Sequence, residues 1–596
     1  MSHTGVWSKS LLLGSVLVWL GLWVVFGYSF NKQLSKPALF HGLLHPVSNE
    51  HSVNKYTRPA YPENYPVTSF GPLPTPDRKA LPKVQKKPSA ESSEHASERL
   101  RRRESVKATM LRDWNAYHER AWGKAELAPV AGVPKDTYGG WAATIVDSLD
   151  TLSIMDLKAE YEEAVEFALK IDFKAMPEGV VSSFEATIRY LGGFLSAYDL
   201  SGDHRLLLKA IEVADLIYKA FDTPNRMPVH AIDFAVIRTN QPQLASEESS
   251  IAGLGSLALE FLRLTQLTGD RRWYDAPRRV MEVFSAAQNK TRLPGMWAAK
   301  PINARTGNLW NGTGLFHMGG DSDSHYEYLL KTHILIGGSS FYEGMYRQAT
   351  DTIVQNILYR PMLPNNPDVL LPGQISFDQN DTLQHMYRVD HLACFTGGML
   401  ALGGKITNND SHIELGRKVT KGCVEMYSHS PLGIMPDEAF VLPCDKCTLS
   451  SDANCCAFDK DLWLTECLNR TKDDERLGCE SRQTSGIISV QNAEFKLRPE
   501  ALESIFYMYR ITGDQTMPDM AWEMFERIKE HTWTEYANAA IMNVMDLEAP
   551  KKDEMESYWF AETLKYLYLI FSGEDLISLD EWVFNTEAHP FRRPKS

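Results

Sequence analysis

Four short stretches of this 596-residue chain carry carboxylates at spacings that chemistry could use. In Ser183-Phe-Glu-Ala-Thr-Ile-Arg189, Glu185 and Arg189 lie four apart and share one helical face, which suits a catalytic pair or a solvated surface ion pair. Asp321-Ser-Asp-Ser-His-Tyr-Glu-Tyr328 gathers acids beside aromatic rings, and the same residues would also cap a helix N-terminus. Leu497-Arg-Pro-Glu500 puts Pro499 at a helix start and Glu500 in its first turn, where the helix dipole already favours a carboxylate. Phe584-Asn-Thr-Glu-Ala-His-Pro590 offers oxygen donors of the kind a hard cation selects, or a structured tail. Two carboxyls can divide general acid and general base work when burial or a neighbouring like charge lifts the pKa of one of them.

Such groups act only if rigid elements hold them. Tyr198-Asp-Leu-Ser-Gly-Asp203, Thr265-Gln-Leu-Thr-Gly-Asp270 and Tyr509-Arg-Ile-Thr-Gly-Asp514 each follow one apolar helical pattern and precede another. Gly202, Gly269 and Gly513 suit the left-handed position that ends a helix, and the following Asp can accept from the first amides of the next one. A looser copy, Gly404 to Asp410, uses Asn in place of Gly. Each phrase predicts a helical hairpin. Hairpins recurring through the body of the chain, with little strand-like alternation, predict an all-α array that buries its apolar faces by stacking, closed or open.

Composition narrows the setting. With 43% hydrophobic residues the chain can bury a large core, and a formal charge of -14 argues against nucleic acid as a partner. The uncharged run 11–30 is long enough to span a bilayer and is expected to be an uncleaved anchor after a short tail, 1–10. Lys9 on one side and Lys32 and Lys36 on the other leave its orientation weakly set by charge. Residues 31–104, rich in Pro, Ser, Lys and Glu, read as a flexible stem, and 105–596 as the globular body. Sequons at Asn289, Asn311, Asn380, Asn409 and Asn469 suit a lumenal body. All eight cysteines fall between Cys394 and Cys479, which suits local disulfides in an oxidising compartment. A zinc site at Cys444, Cys447, Cys455 and Cys456 is the lesser alternative.

Taken in order, Asp147-Ser-Leu-Asp-Thr-Leu152, Phe184 to Gly193, Asp323 to Lys331, His391 to Gly398, Leu497 to Glu500, Glu562 to Tyr568 and Asn585 to Pro590 resemble glycoside hydrolase family 47, the class I α1,2-mannosidases, from about Trp114 to Pro590. The resemblance implies an (α/α)7 barrel and inverting exo-hydrolysis of terminal α1,2-linked mannose on high-mannose N-glycans. It implies Glu185, Asp323 and Glu500 as the catalytic carboxylates: Glu185 the acid, acting through water, Asp323 the rival acid, and Glu500 the base. Thr586 is expected to bind calcium, with Glu503, Glu562 and Glu587 around it and Arg189, His391, Arg498 and Tyr558 lining the pocket. Cys394 and Cys423 match the family's disulfide. The other six cysteines belong to what looks like an insertion at about 444–479, with their pairing open.

Two positions depart from the family pattern. Gly253 stands where an acidic residue of the sugar pocket is usual, and Asp321 stands where ER-type enzymes carry Arg. The second favours broader, Golgi-type trimming, and the first keeps open a mannose-binding lectin with weak or no turnover. Expected throughout is a single-pass type II protein of the Golgi or endoplasmic reticulum membrane, with a lumenal catalytic domain, monomeric and without nucleic acid.

Overall fold

The computed structural model describes residues 61–594, apart from 78–79, 88–89, 176–177, 311, 445–446, 448, 450–454, 471–478 and 480–485. The expected anchor, 11–30, lies outside the described residues. Among those described, no helix is long and apolar enough to cross a membrane.

Each predicted turn forms for the reason its residues suggest. Gly202, Gly269 and Gly513 have φ of 73°, 72° and 68°, and Asn408 takes the same left-handed role at 54°. Asp203 and Asp270 then cap the next helix, their side chains accepting from the amides of Arg205 and Arg272. The turns join helices that differ in burial. Asp323–Ile336 is buried from Ser324 to its end, whereas its partner Ser340–Asn356 buries one stripe and leaves charges such as Arg347 and Asp351 at its other faces. A helix apolar or buried all round belongs inside, and an amphipathic one outside.

The helices that build the barrel are α1 (Ser93–Ala121), α2 (Leu149–Ile154), α3 (Lys158–Ala168), α4 (Gly192–Ser201), α5 (His204–Tyr218), α6 (Ala258–Thr268), α7 (Arg271–Ala287), α8 (Asp323–Ile336), α9 (Ser340–Asn356), α10 (Thr396–Thr407), α11 (Asp410–Ser428), α12 (Glu500–Thr512), α13 (Thr516–Thr532) and α14 (Leu564–Ile570). Helices α2, α4, α6, α8, α10, α12 and α14 pack side by side as an inner ring, closed where the turn before α14 meets α2. Helices α3, α5, α7, α9, α11 and α13 each pack outside their predecessors, and α1 covers α14. Among the described residues this is an α/α barrel of seven inner and seven outer helices.

Short strands, in small antiparallel sheets, decorate the barrel, and two of these sheets bear on the site. Strands β1 (Arg388–Asp390), β2 (Glu438–Val441) and β3 (Ile487–Asn492) form an antiparallel sheet, while β4 (Trp582–Phe584) and β5 (Pro590–Arg592) make a hairpin paired from Trp582–Arg592 to Phe584–Pro590. That hairpin packs on the inner helices α4 and α8, and its tip is buried among them at Asn585 and at Glu587 to His589, with Thr586 half-buried.

The stem reading needs correction for its second half. Helix α1 begins at Ser93, and residues 61–77 and 80–87 lie on the barrel. An extended Pro-rich strand has no internal partners for its amides, and carboxylates of the outer turns accept them. Asp222 accepts from Asn64 and Tyr65 at 2.8–3.0 Å, Asp275 from Gly71 at 2.7 Å and Asp580 from Val84 at 2.6 Å. Val84 is buried outright.

All eight cysteines are paired. Cys394–Cys423 ties the entry of α10 to α11 across 5.9 Å between Cα atoms, as the family resemblance implied. Cys444–Cys456, Cys447–Cys455 and Cys467–Cys479 hold the insertion, which gathers its own apolar cluster around Trp463, Leu442 and Ile488.

Candidate active site

The first acid of interest opens a helix. Ser182 accepts from the amide of Glu185 at 3.3 Å, and the chain then winds through one wide π turn, Ala186–Leu191, into α4. π turns concentrate at functional sites. Here the turn carries Arg189, whose guanidinium serves four oxygens: Glu185 at 2.8 Å, Asp147 at 3.2 Å, Ser557 at 2.9 Å and Glu587. The i,i+4 pair read as a surface contact or a site is thus the inner end of a buried ionic network.

Asp323 is the first residue of α8 and Glu500 the first of α12. Glu500 meets His391 Nδ1 at 2.8 Å, and His391 Nε2 meets the Tyr427 hydroxyl at 2.8 Å, so the imidazole is fixed at both ends. Asp323 accepts from the amide of Ser324 at 2.8 Å. Burial pushes its carboxyl well above the usual range, and the charges of Asp390, Glu327 and Glu500 push it further.

The C-terminal hairpin delivers the second half of the site. Asn585 Oδ1 accepts from the amides of Glu587 at 3.0 Å and His589 at 2.8 Å, which shapes the tip. Its Nδ2 donates to Glu260 at 2.8 Å and to the Ile188 carbonyl at 3.0 Å, which docks the tip on α6 and the π turn. The Tyr328 hydroxyl donates to Glu260 at 2.6 Å and accepts from the amide of Thr586 at 3.3 Å. His589 is fully buried between Asp150 at 2.8 Å and Asp147 at 3.1 Å, and Lys565 meets Asp150 at 2.8 Å.

Around that tip lies a set of buried acids. Burial pushes Glu503, Glu562 and Glu587 well above the usual carboxyl range. Lys331 at 3.8 Å from Glu503 opposes the rise there, Arg189 opposes it at Glu587, and mutual repulsion adds to it at Glu562. Hard divalent cations select oxygen donors in such surroundings.

The predicted residues therefore come together. Glu185, Arg189 and Glu587 are joined through the guanidinium, His391 holds Glu500, and Thr586 rests on Tyr328. Arg498 donates to Asp437 at 2.7 Å, and Tyr558 to the Lys496 carbonyl at 2.8 Å, both beside Glu500. At Gly253 the space an added Cβ would enter is bounded by Ser250 Oγ at 3.1 Å and His230 Nδ1 at 3.6 Å, so an imidazole and a hydroxyl flank the notch. Asp321, with φ of 73°, pairs with Lys300 at 2.5 Å. Sequence reasoning named no role for Asp147, Asp150, Glu260, Glu327, Lys331, Asp390, Asp437 or His589. Asp147, Asp150, Glu327, Lys331 and His589 stood inside the quoted phrases, which was the available signal. Glu260 sits in an apolar run that gives none.

A barrel of helical hairpins lined by buried carboxylates, with a hairpin tip rising among them, defines an α/α barrel with a candidate acid–base site. Residues 109–593 match the sequence model of glycosyl hydrolase family 47. The chain belongs to that family. It is 33% identical over 82% of its length to mannosyl-oligosaccharide α-1,2-mannosidase IA of Spodoptera frugiperda, covering 66% of that protein, and 33% identical over 82% to mannosyl-oligosaccharide 1,2-α-mannosidase MNS1 of Arabidopsis thaliana, covering 78%. The solved α-1,2-mannosidase from Trichoderma reesei is similar with a TM-score of 0.72 at 28% identity, over 83% of this chain and 99% of that one.

Proposed function

We propose that this protein is a calcium-dependent, inverting exo-glycosidase that releases terminal α1,2-linked mannose from high-mannose N-glycans. The observation that carries the reading is the set of buried, mutually repelling carboxylates around the Thr586 tip, on a barrel whose relatives are named for that activity. The uncharged run 11–30, long enough to span a bilayer, supports a type II membrane anchor, and the resemblance to an enzyme named for the endoplasmic reticulum supports a lumenal barrel in the Golgi or endoplasmic reticulum.

In an inverting glycosidase one carboxyl gives its proton to the departing glycosidic oxygen as the bond from C1 breaks, while a carboxylate takes a proton from the water that attacks C1 on the opposite face. Glu500, held by His391, would orient and deprotonate that water. Between the two acids, the burial of Asp323 among Asp390, Glu327 and Glu500 supports it as the holder of the transferable proton. Glu185, ion-paired with Arg189, then acts through water or positions the leaving sugar.

The acids fit a hard cation. Thr586 would hold calcium through its hydroxyl and carbonyl oxygens, with Glu503, Glu562 and Glu587 holding its waters or the sugar hydroxyls. When bound, calcium would supply a Lewis-acidic anchor for sugar hydroxyls. The protein's own part is to hold the tip still through Asn585, Tyr328 and His589, and to shield the carboxylates from bulk water.

The test is stereochemical. Incubation of the full chain with an α1,2-linked mannobiosyl glycan inside an NMR tube should show β-mannose appearing first and mutarotating later. Initial release of α-mannose would refute the two-carboxylate inverting assignment.

A further inference from the structure

One half-buried acid outside the assigned set touches both halves of the proposed proton machinery. Asp390 ends strand β1. Its Oδ1 accepts from the amide of Leu392 at 2.9 Å and so caps the short helix His391–Phe395, whose first residue holds Glu500. Its Oδ2 accepts from the amide of Gly320 at 3.3 Å, inside the turn that presents Asp323. That turn is built around the carboxylate. A Cβ on Gly319 would lie 2.2 Å from Asp390 Oδ2, so glycine makes the room. Asp321 adopts φ of 73°, a conformation costly for a residue with a side chain. The amides of Ser322 and Asp323 both donate to the Gly319 carbonyl at 3.1 Å, and Ser322 Oγ donates to the carbonyls of Gly319 at 2.9 Å and His317 at 2.7 Å.

We infer that Asp390 is a positioning residue for Asp323: it fixes the Gly319–Asp323 turn and keeps a negative charge behind the proton-holding carboxyl. The inference rests on the assignment of Asp323 as the acid made above. The groups facing Asp323 are Asp390 from β1, Glu327 from its own helix and Glu500 from α12, and those facing Asp390 include Arg498 and Asp437 from the neighbouring sheet and its approach. Burial lifts Asp390 to about 6, with Arg498 opposing, so the charge is present above that pH. A like charge disfavours ionisation of its neighbour. Removing it loosens the proton on Asp323.

The experiment compares pH profiles of kcat/KM for mannose release by the full chain, with calcium, in three forms. Asp390→Asn keeps a cap for Leu392, but it removes the charge and turns a donor toward the Gly320 amide. It should lower kcat at least tenfold with KM within about twofold, and move the alkaline limb down by half a pH unit or more. Ser322→Ala loosens the same turn and leaves every charge in place, so it should lower kcat without moving the limb. Wild-type kcat in Asp390→Asn, an unmoved alkaline limb, or an equal shift in Ser322→Ala would overturn the inference. Should Asp390→Asn not fold, Asp390→Glu keeps the charge while misplacing it, and must lower kcat with the limb held. Absence of mannose release by the wild type, or full activity in Asp323→Asn, would instead overturn the underlying assignment, whatever Asp390 does.

Discussion

Arg189 is the structural hinge between the proposed acid site and the hairpin tip, and replacing it by Met tests that directly. Methionine fills much of the volume and removes the charge and every donor. Asp147 and Glu587 then stay buried with Arg189 gone, while Glu185 and Ser557 lose a partner. Breaking a buried ionic network by removing one partner costs about 3–5 kcal/mol. At ~2.1 cal/mol/K per residue, a body of about 500 residues unfolds with an entropy near 1 kcal/mol/K, so Tm should fall by about 3–5 °C at pH 7.5. The sign of the pH dependence follows from Asp147. Burial alone would raise it, but His589 and Arg189 hold it down at about 2. A carboxyl depressed in the folded state adds stability above its unfolded pKa of ~3.9 that is lost only as pH falls toward 2, so the wild type keeps this contribution at both pH 5 and 7.5. Without Arg189 the folded pKa rises, and the variant pays increasingly as pH climbs past 4. Differential scanning fluorimetry of the chelated proteins should therefore show a smaller Tm gap between wild type and variant at pH 5 than at 7.5. A gap under 1 °C at both, or a larger one at pH 5, would refute the network as described.

Three further outcomes follow from other parts of the molecule. Glu260 is lifted by burial to about 7, so between ~4.3 and 7 the unfolded chain ionises it and the folded one does not, and stability drains as pH rises through that window. Glu260→Gln, whose carbonyl can still accept from Tyr328 and Asn585, should gain about 2–4 kcal/mol at pH 7.5 and nothing at pH 4.5, read from thermal melts. Replacing Cys394 and Cys423 together by Ser opens a loop of 29 residues and should cost about 3–4 kcal/mol, visible as a Tm loss of about 3–4 °C. Gly193→Ala would set its Cβ 2.6 Å from the Val146 carbonyl oxygen, forcing helix α4 off the segment carrying Asp147. It should destabilise by about 1–3 kcal/mol and lower mannose release at the assay temperature.

Local chemistry made the barrel legible. A Gly or Asn in the left-handed position followed by a capping Asp is decided within six residues, so the hairpins read correctly from Gly202, Gly269, Gly513 and Asn408. Helix α1 did not, because its buried residues begin only at Val106; the earlier turns carry no apolar stripe and are lined with Glu98–Arg101 and Glu98–Arg102 pairs and with Arg101 set over Trp522. The strap from residue 61 was hidden for a related reason: its partners are carboxylates on distant outer turns. Within the site, residues in the ordered phrases were found. The relation between Asp147, Asp150, Lys565 and His589 spans more than 400 residues, and the tie from Asp390 to Gly320 crosses 70, so neither leaves a pattern in any short window.

If Glu500 drives hydrolysis with calcium held at the hairpin tip, mannose release must need both. The most direct measurement incubates the full chain with a Man9-type N-glycan, with calcium or with chelator, and counts hexose losses by mass spectrometry. Successive loss of hexose is expected with calcium, none with chelator, and none in Glu500→Gln that still folds and binds the glycan. Equal loss with chelator, or undiminished loss in Glu500→Gln, would contradict it, and a folded, calcium-loaded wild type that binds the glycan and releases nothing would mark the protein as a lectin.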